Sequence, residues 1–198
     1  TQSTGLTHST AAITGFVTGL YVIFTPLLSA IFLKKVVTKI EWVAVFVATI
    51  GLGLLSLRGW AIGFGEFLTL LCALFFALHI IGLGEWSSRF ATYPLTVVQL
   101  GTVTVFTGIT GFSNGYVAPP DSDVWKAILI TALFATSAGF LIQTWAQSHM
   151  DATTVAVILT LEVVFAALVS VIAGQEILTA RTLAGGSLIV VAMIAMQV

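Results

Sequence analysis

Residues 153–173 read TTVAVILTLEVVFAALVSVIA, an apolar run broken near its middle by one carboxylate, Glu162. The run is close to the ~20 residues that an α-helix needs to cross ~30 Å of hydrocarbon. A carboxylate at that depth costs several kcal/mol by insertion scales, so such residues face a bundle interior or a wet cavity and mark a pathway. The stretch therefore predicts a helix in a membrane, with Glu162 turned toward something other than lipid.

Composition agrees with the membrane reading. The chain of 198 residues is 58% hydrophobic and 8% charged, with a mean hydropathy of +1.10. A soluble domain carries roughly 25% charged residues. The net charge of −1 gives no basic surface for nucleic acid. Cys72 is the single cysteine. It has no CxxC or histidine cluster beside it and reads as a small core residue.

Polar breaks divide the chain into runs at Thr10–Leu33, Ile40–Leu57, Phe64–Leu83, Leu95–Phe112, Trp125–Trp145, Thr153–Ala173 and Leu183–Val198. The predicted fold class is all-α: a polytopic bundle of about seven spans. Trp60, Trp86 and Trp125 stand at span ends, where an aromatic belt is expected. Lys34, Lys35 and Lys39 place their connector in the cytoplasm by the positive-inside rule, though Arg58, Lys126 and Arg181 then fall outside. Thr1 to Leu6 resembles the tail of an earlier helix, and the last run reaches Val198 without a polar tail. The chain is expected to be an N-terminally truncated piece of a longer protein.

A shift of 141 residues lays Thr10–Leu57 over Asp151–Val198 without a gap, matching Leu20 with Leu161, Val22 with Val163, Phe24 with Phe165 and Thr38 with Thr179. Such a shift predicts a five-helix unit occurring twice. An odd helix count inserts the two copies in opposite orientations, and inverted repeats are a signature of secondary transporters.

The stretch Tyr21-Val22-Ile23-Phe24-Thr25-Pro26-Leu27-Leu28-Ser29-Ala30, with the basic connector after it, resembles the fourth and fifth helices of an EamA-type permease of the drug/metabolite transporter superfamily. Gln143-Thr144-Trp145-Ala146-Gln147, Leu161-Glu162-Val163-Val164-Phe165, Gly174-Gln175-Glu176 and Leu183-Ala184-Gly185-Gly186 follow the family pattern in order. The resemblance implies ten helices in two inverted repeats. Residues 1–58 would then complete the first repeat, residues 64–198 would form the second, and most of three helices would precede Thr1. The chain departs from the pattern at Glu162-Val163, where the family often has Glu-Pro, so a proline-dependent bend is not expected in that helix.

Residues three and four apart share a helix face. Thr14, Thr18, Tyr21, Thr25 and Ser29 form one polar stripe. Tyr21 aligns with Glu162 under the shift, and Pro26 frees the carbonyl of Val22. In the Glu162 helix, Thr153, Ala156, Thr160, Ala167, Ser170 and Gly174 make a small-residue seam suited to close packing. Glu162 falls on the opposite face with Val155, Phe165, Ala166 and Val169. Thr136, Gly139, Gln143 and Gln147 form another stripe, whose amides suit a zwitterionic or hydroxylated solute. Thr69, Cys72, Phe76 and His79 form a third, in which the imidazole could relay protons or pack as structure. Asp151 reads as a helix N-cap. Gly15 and Gly19 make a GxxxG packing motif.

These features point to a permease or exporter of a small organic metabolite, such as an amino acid, in a cell membrane and most simply a bacterial inner membrane. The pathway candidates are Glu162, Gln143, Tyr21, Thr18, Thr25, His79 and Gln147, with Pro26 as a kink. Glu162 could exchange a proton in each cycle, or bind a substrate amine in a facilitator. No GxxxxGK[ST] loop cradles a nucleotide, no histidine spacing suits a metal, and neither HExxH nor GxSxG occurs. No cofactor or enzymatic activity is expected. The partners are the lipid bilayer and a small-molecule substrate, with a homodimer left open. A non-transporting membrane scaffold or partner subunit is the alternative.

Overall fold

In lipid every backbone N–H and C=O must be satisfied within the protein, and a helix does this locally. The computed structural model describes residues 11–56, 64–113, 118–119, 121–172, 174, 177 and 179–196, and among them there is no strand. The elements are α1 Ala11–Gly19, α2 Tyr21–Phe32, α3 Lys39–Ser56, α4 Phe64–Trp86, α5 Thr92–Ser113 and α6 Ser122–Ile130. A π-helical stretch Thr131–Ala138 follows, then α7 Gly139–Gln147, α8 Ala152–Leu159, α9 Leu161–Ile172 and α10 Ala180–Ala195. His8, Arg58, Trp60, Gln175 and Glu176 lie outside the described residues.

Among the described residues, five stretches are long and apolar enough to cross a membrane: Thr14–Phe32, Phe67–Trp86, Thr92–Phe112, Ser122–Gln147 and Ala152–Val169. Helix α3 has 18 residues and α10 is a shorter apolar helix of 16. The elements form two compact units, one from α1–α3, α4 as far as Gly82 and α8–α10, the other from Leu83 to Met150.

The 141-residue shift carries Lys39, the first residue of α3, onto Ala180, the first of α10. The caps before α3 and α10 correspond as well. The Thr38 hydroxyl accepts from the N–H of Glu41 at 3.2 Å, and the Glu41 carboxylate accepts in return from the N–H of Thr38. This reciprocal pair satisfies two free donors at the start of α3. At the equivalent place, the Thr179 hydroxyl accepts from the N–H of Thr182 at 3.2 Å. Asp151 caps α8, accepting from the N–H of Thr154 at 2.9 Å, as its position predicts.

The shift-related helices α3 and α10 pack against each other at the centre of the first unit. They run antiparallel. Arg181 at the start of α10 donates through Nε to the carbonyl of Leu54 at 2.7 Å and through Nη2 to that of Gly53 at 3.2 Å, both near the end of α3. Ala48 and Ile189, equivalent under the shift, are both fully buried. Gly51 lies so close to α10 that a Cβ there would sit 2.7 Å from the Gly185 carbonyl oxygen. The counterparts of Gly51 and Gly185 are Ala192 and Ala44, each 1% exposed. The contact is therefore built from small residues related by an approximate two-fold.

Two spans each carry one tight turn within an otherwise continuous helix. Leu20 lies between α1 and α2, with its N–H bonded to the carbonyl of Val17 at 3.2 Å. Thr160 lies between α8 and α9, with its N–H bonded to the carbonyl of Val157 at 3.1 Å. Each is one tight turn of i→i+3 bonding inside a span. The second turn lies just before Glu162-Val163, where the family often has Glu-Pro. It forms without proline, because the Thr160 hydroxyl adds a 2.6 Å bond to the same Val157 carbonyl.

Candidate functional site

The two turns put Tyr21 and Glu162 in equivalent places, each directly after the tight turn in its span. Glu162 is exposed, as are Phe165, Ala166 and Val169 on its face of α9. Val155, expected on that face, is instead 3% exposed. A continuous helix would keep these residues in register, and the turn at Thr160 does not. The small-residue seam holds through α8, where Thr153, Ala156 and Thr160 are buried.

Tyr21 is 5% exposed, and the Glu162 carboxylate lies within electrostatic reach of it. Its ring meets Phe76 of α4 edge-on, with centroids 4.9 Å apart. Phe76 stacks in turn on His79, with centroids 6.3 Å apart. Tyr21 and His79, drawn from two different spans, thus both meet Phe76 in the first unit. Thr25 is fully buried and its hydroxyl donates to the Tyr21 carbonyl at 2.8 Å, so it serves its own helix. Pro26 is buried inside α2, beyond the turn. Thr18 is half-buried. Of the rest of the stripe, Thr14 and Ser29 are buried with hydroxyls that have no hydrogen-bond partner among the described residues.

Gln143 and Gln147 belong to the second unit. Both are buried, and Gln143 donates to the Gln147 side-chain carbonyl at 3.3 Å. Thr136, expected on the same stripe, is exposed. It lies in the π-helical stretch, where wider i→i+5 turns break α-helical register. Sequence reasoning missed Gln99 of α5, which donates to the Thr144 hydroxyl at 3.1 Å. Its side-chain carbonyl is buried with no hydrogen-bond partner among the described residues. Thr92, Thr96 and Gln99 at helical spacing were the signal available.

A family model described as the EamA-like transporter family matches residues 63–197. The chain belongs to that family. An uncharacterized transporter of Archaeoglobus fulgidus is 35% identical over 195 residues, and the alignment covers 98% of this chain. The chain spans 62% of that relative's length. One protein of known crystal structure superposes with a TM-score of 0.85 at 16% identity, covering 98% of this chain and 69% of its own. At that identity the likeness shows a shared fold. EamA membership and the apolar helices together make this a multi-pass membrane protein. Within this EamA chain, Tyr21 brings a phenol and Glu162 a carboxylate within electrostatic reach of each other, and His79 an imidazole on the far side of Phe76. Such a set can hold a cation or pass a proton.

Proposed function

We propose that the protein carrying this chain is a secondary transporter of a small organic metabolite, such as an amino acid, working by alternating access in the cell membrane. Residues 1–58 would complete its first repeat and residues 64–198 would form the second. One observation carries the reading: two spans related by the repeat present Tyr21 and Glu162 from equivalent places, each directly after a tight turn. Transporters of inverted-repeat design bind solute and coupling ion near the midplane, between the repeats. Glu162 takes the cationic partner, a substrate ammonium or a proton. Tyr21 offers a hydroxyl on the aromatic wall made with Phe76 and His79. In the other unit, Gln143 and Gln147 offer neutral donors and acceptors suited to a zwitterionic or hydroxylated solute.

Uptake of an amino-acid and metabolite panel into proteoliposomes holding the full-length protein tests this, with and without a pH gradient, beside Glu162→Gln at matched expression. Selective uptake that needs both the gradient and Glu162 establishes a proton-coupled carrier. Uptake independent of the gradient but lost in the variant makes Glu162 a substrate-binding residue in a facilitator. Undiminished uptake by the variant removes Glu162 from the mechanism.

A further inference from the structure

The guanidinium of Arg181 reaches from the start of α10 to the carbonyls of Leu54 and Gly53, at 2.7 and 3.2 Å, near the end of α3. The last carbonyls of a helix have no donor within it, and a cation beside them is favoured. The 141-residue shift carries Arg181 back onto Ile40, and carries Gly53 and Leu54 onto Ile194 and Ala195. Where the start of α3 meets the end of α10, an apolar side chain therefore stands in the place equivalent to the arginine.

A groove of about 220 Å³ lies there, and its lining includes Ile40 and Glu41 of α3, Asp151 before α8, and Ala195 and Met196 at the end of α10. Glu41 and Asp151 also line an adjoining groove of about 210 Å³, together with Ser29 and Lys35. Both are smaller than the ~300 Å³ at which pockets for drug-sized ligands begin. The carboxylates already act as caps, Glu41 accepting from the N–H of Thr38 and Asp151 from that of Thr154. A carboxylate has about four lone-pair sites, so each keeps acceptor capacity. Ser29 is 3% exposed, and its hydroxyl has no hydrogen-bond partner among the described residues. Leaving a buried hydroxyl unpaired is costly, so it marks a place for a partner. Two carboxylates face one ammonium, that of Lys35, which leaves the grooves net negative and unsuited to an anion.

We propose that these adjoining grooves form a binding site for a small guanidinium compound. The groups on offer are two carboxylates, a serine hydroxyl and helix-end carbonyls, all of them acceptors. A guanidinium carries five N–H donors and no acceptor, and its planar fork matches a carboxylate better than the point charge of an ammonium does. Bound there, it ties the starts of α3 and α8 to the end of α10, as Arg181 ties the other end of the α3–α10 pair from within the chain. Lys35 competes with the ligand for the carboxylates, so its removal strengthens binding. Glu162 lines neither groove; the site is separate from the one proposed for transport and does not rest on that reading.

The test uses the full-length protein in detergent, carrying Ala195→Cys in a background stripped of other cysteines, Cys72 included. Alkylation of that position by a maleimide is followed alone, with ethylguanidine, and with ethylammonium at the same ionic strength. Ethylguanidine is expected to slow alkylation about fivefold at saturation, and ethylammonium to slow it much less. Asp151→Asn and Glu41→Gln keep the helix caps while removing charge, and each should weaken the apparent affinity for ethylguanidine about tenfold. Ser29→Ala should weaken it severalfold with the melting midpoint unchanged, whereas a purely structural serine would leave the affinity where it was. Lys35→Gln should strengthen it. Ile40→Arg, at the place equivalent to Arg181, should slow alkylation by itself and abolish the response to ethylguanidine. No protection by ethylguanidine overturns the proposal, as does equal protection by ethylammonium or a full response that survives Ile40→Arg. The readout needs no solute movement, so failed uptake in proteoliposomes leaves this site standing, and failed protection leaves the transport reading untouched.

Discussion

Gly51→Ala is the substitution whose effect the packing fixes most tightly. In an ordinary helix interior, exchanging glycine for alanine gains about 1 kcal/mol of helix propensity. At Gly51 the new methyl would lie 2.7 Å from the carbonyl oxygen of Gly185 and 2.8 Å from Cγ1 of Ile189. Ordinary contact begins at 3.4 Å, so α3 and α10 must separate by roughly 0.7 Å, and the nearer atom is backbone with no rotamer to yield. Overpacking of this kind costs about 1–3 kcal/mol, and separation also loosens Ala44, Ala48, Leu52 and Ala192 along the same contact. The propensity gain offsets part of that, leaving a net loss of up to about 2 kcal/mol. Gly15→Ala is the internal control, because its Cβ would meet nothing within 4 Å and only the propensity gain applies. Thermal unfolding in detergent, followed by tryptophan fluorescence, should place Gly51→Ala several degrees below wild type and Gly15→Ala at or above it. Gly51→Ala melting at or above wild type would refute the close approach of α3 and α10.

Three further outcomes follow from individual contacts. Arg181→Met removes the donors to the carbonyls of Leu54 and Gly53; because the side chain is exposed, the loss should be about 1 kcal/mol, seen as a lower melting midpoint, with Arg181→Lys recovering only part. Asp151→Ala removes the cap on α8 and should cost about 1 kcal/mol in the same assay, while Asp151→Asn stays near wild type. Gln99→Leu deletes a side chain whose buried carbonyl has no hydrogen-bond partner among the described residues. It should leave the melting midpoint unchanged or higher and lower the uptake rate in proteoliposomes; unchanged uptake would remove Gln99 from the pathway.

Much of the fold is legible in the sequence because a bilayer imposes simple rules. Apolar runs of spanning length and short polar breaks set the helical class. The 141-residue shift pairs Thr38 with Thr179, and both cap a helix through a neighbour three positions on, as Asp151 does. Glu162 stood out by its cost in an apolar run, and Tyr21 as its equivalent. The turns at Leu20 and Thr160 were not legible. A threonine hydroxyl that captures a carbonyl within its own span looks, in sequence, the same as Thr25 or Thr69, whose bonds leave the helix intact.

What the sequence determined by itself was therefore local and periodic: which segments are helices, where they start, and which two stretches correspond. Only the tertiary structure decided which equivalent residues are treated alike. Tyr21 is covered and Glu162 exposed, and Ala156 is enclosed while Gly15 faces open space. The physical reason is that burial is a property of pairs of helices. The same local sequence can lie on either side of a closed seam, and the packing of α2 on α8 without its counterpart breaks a symmetry that the chain itself encodes.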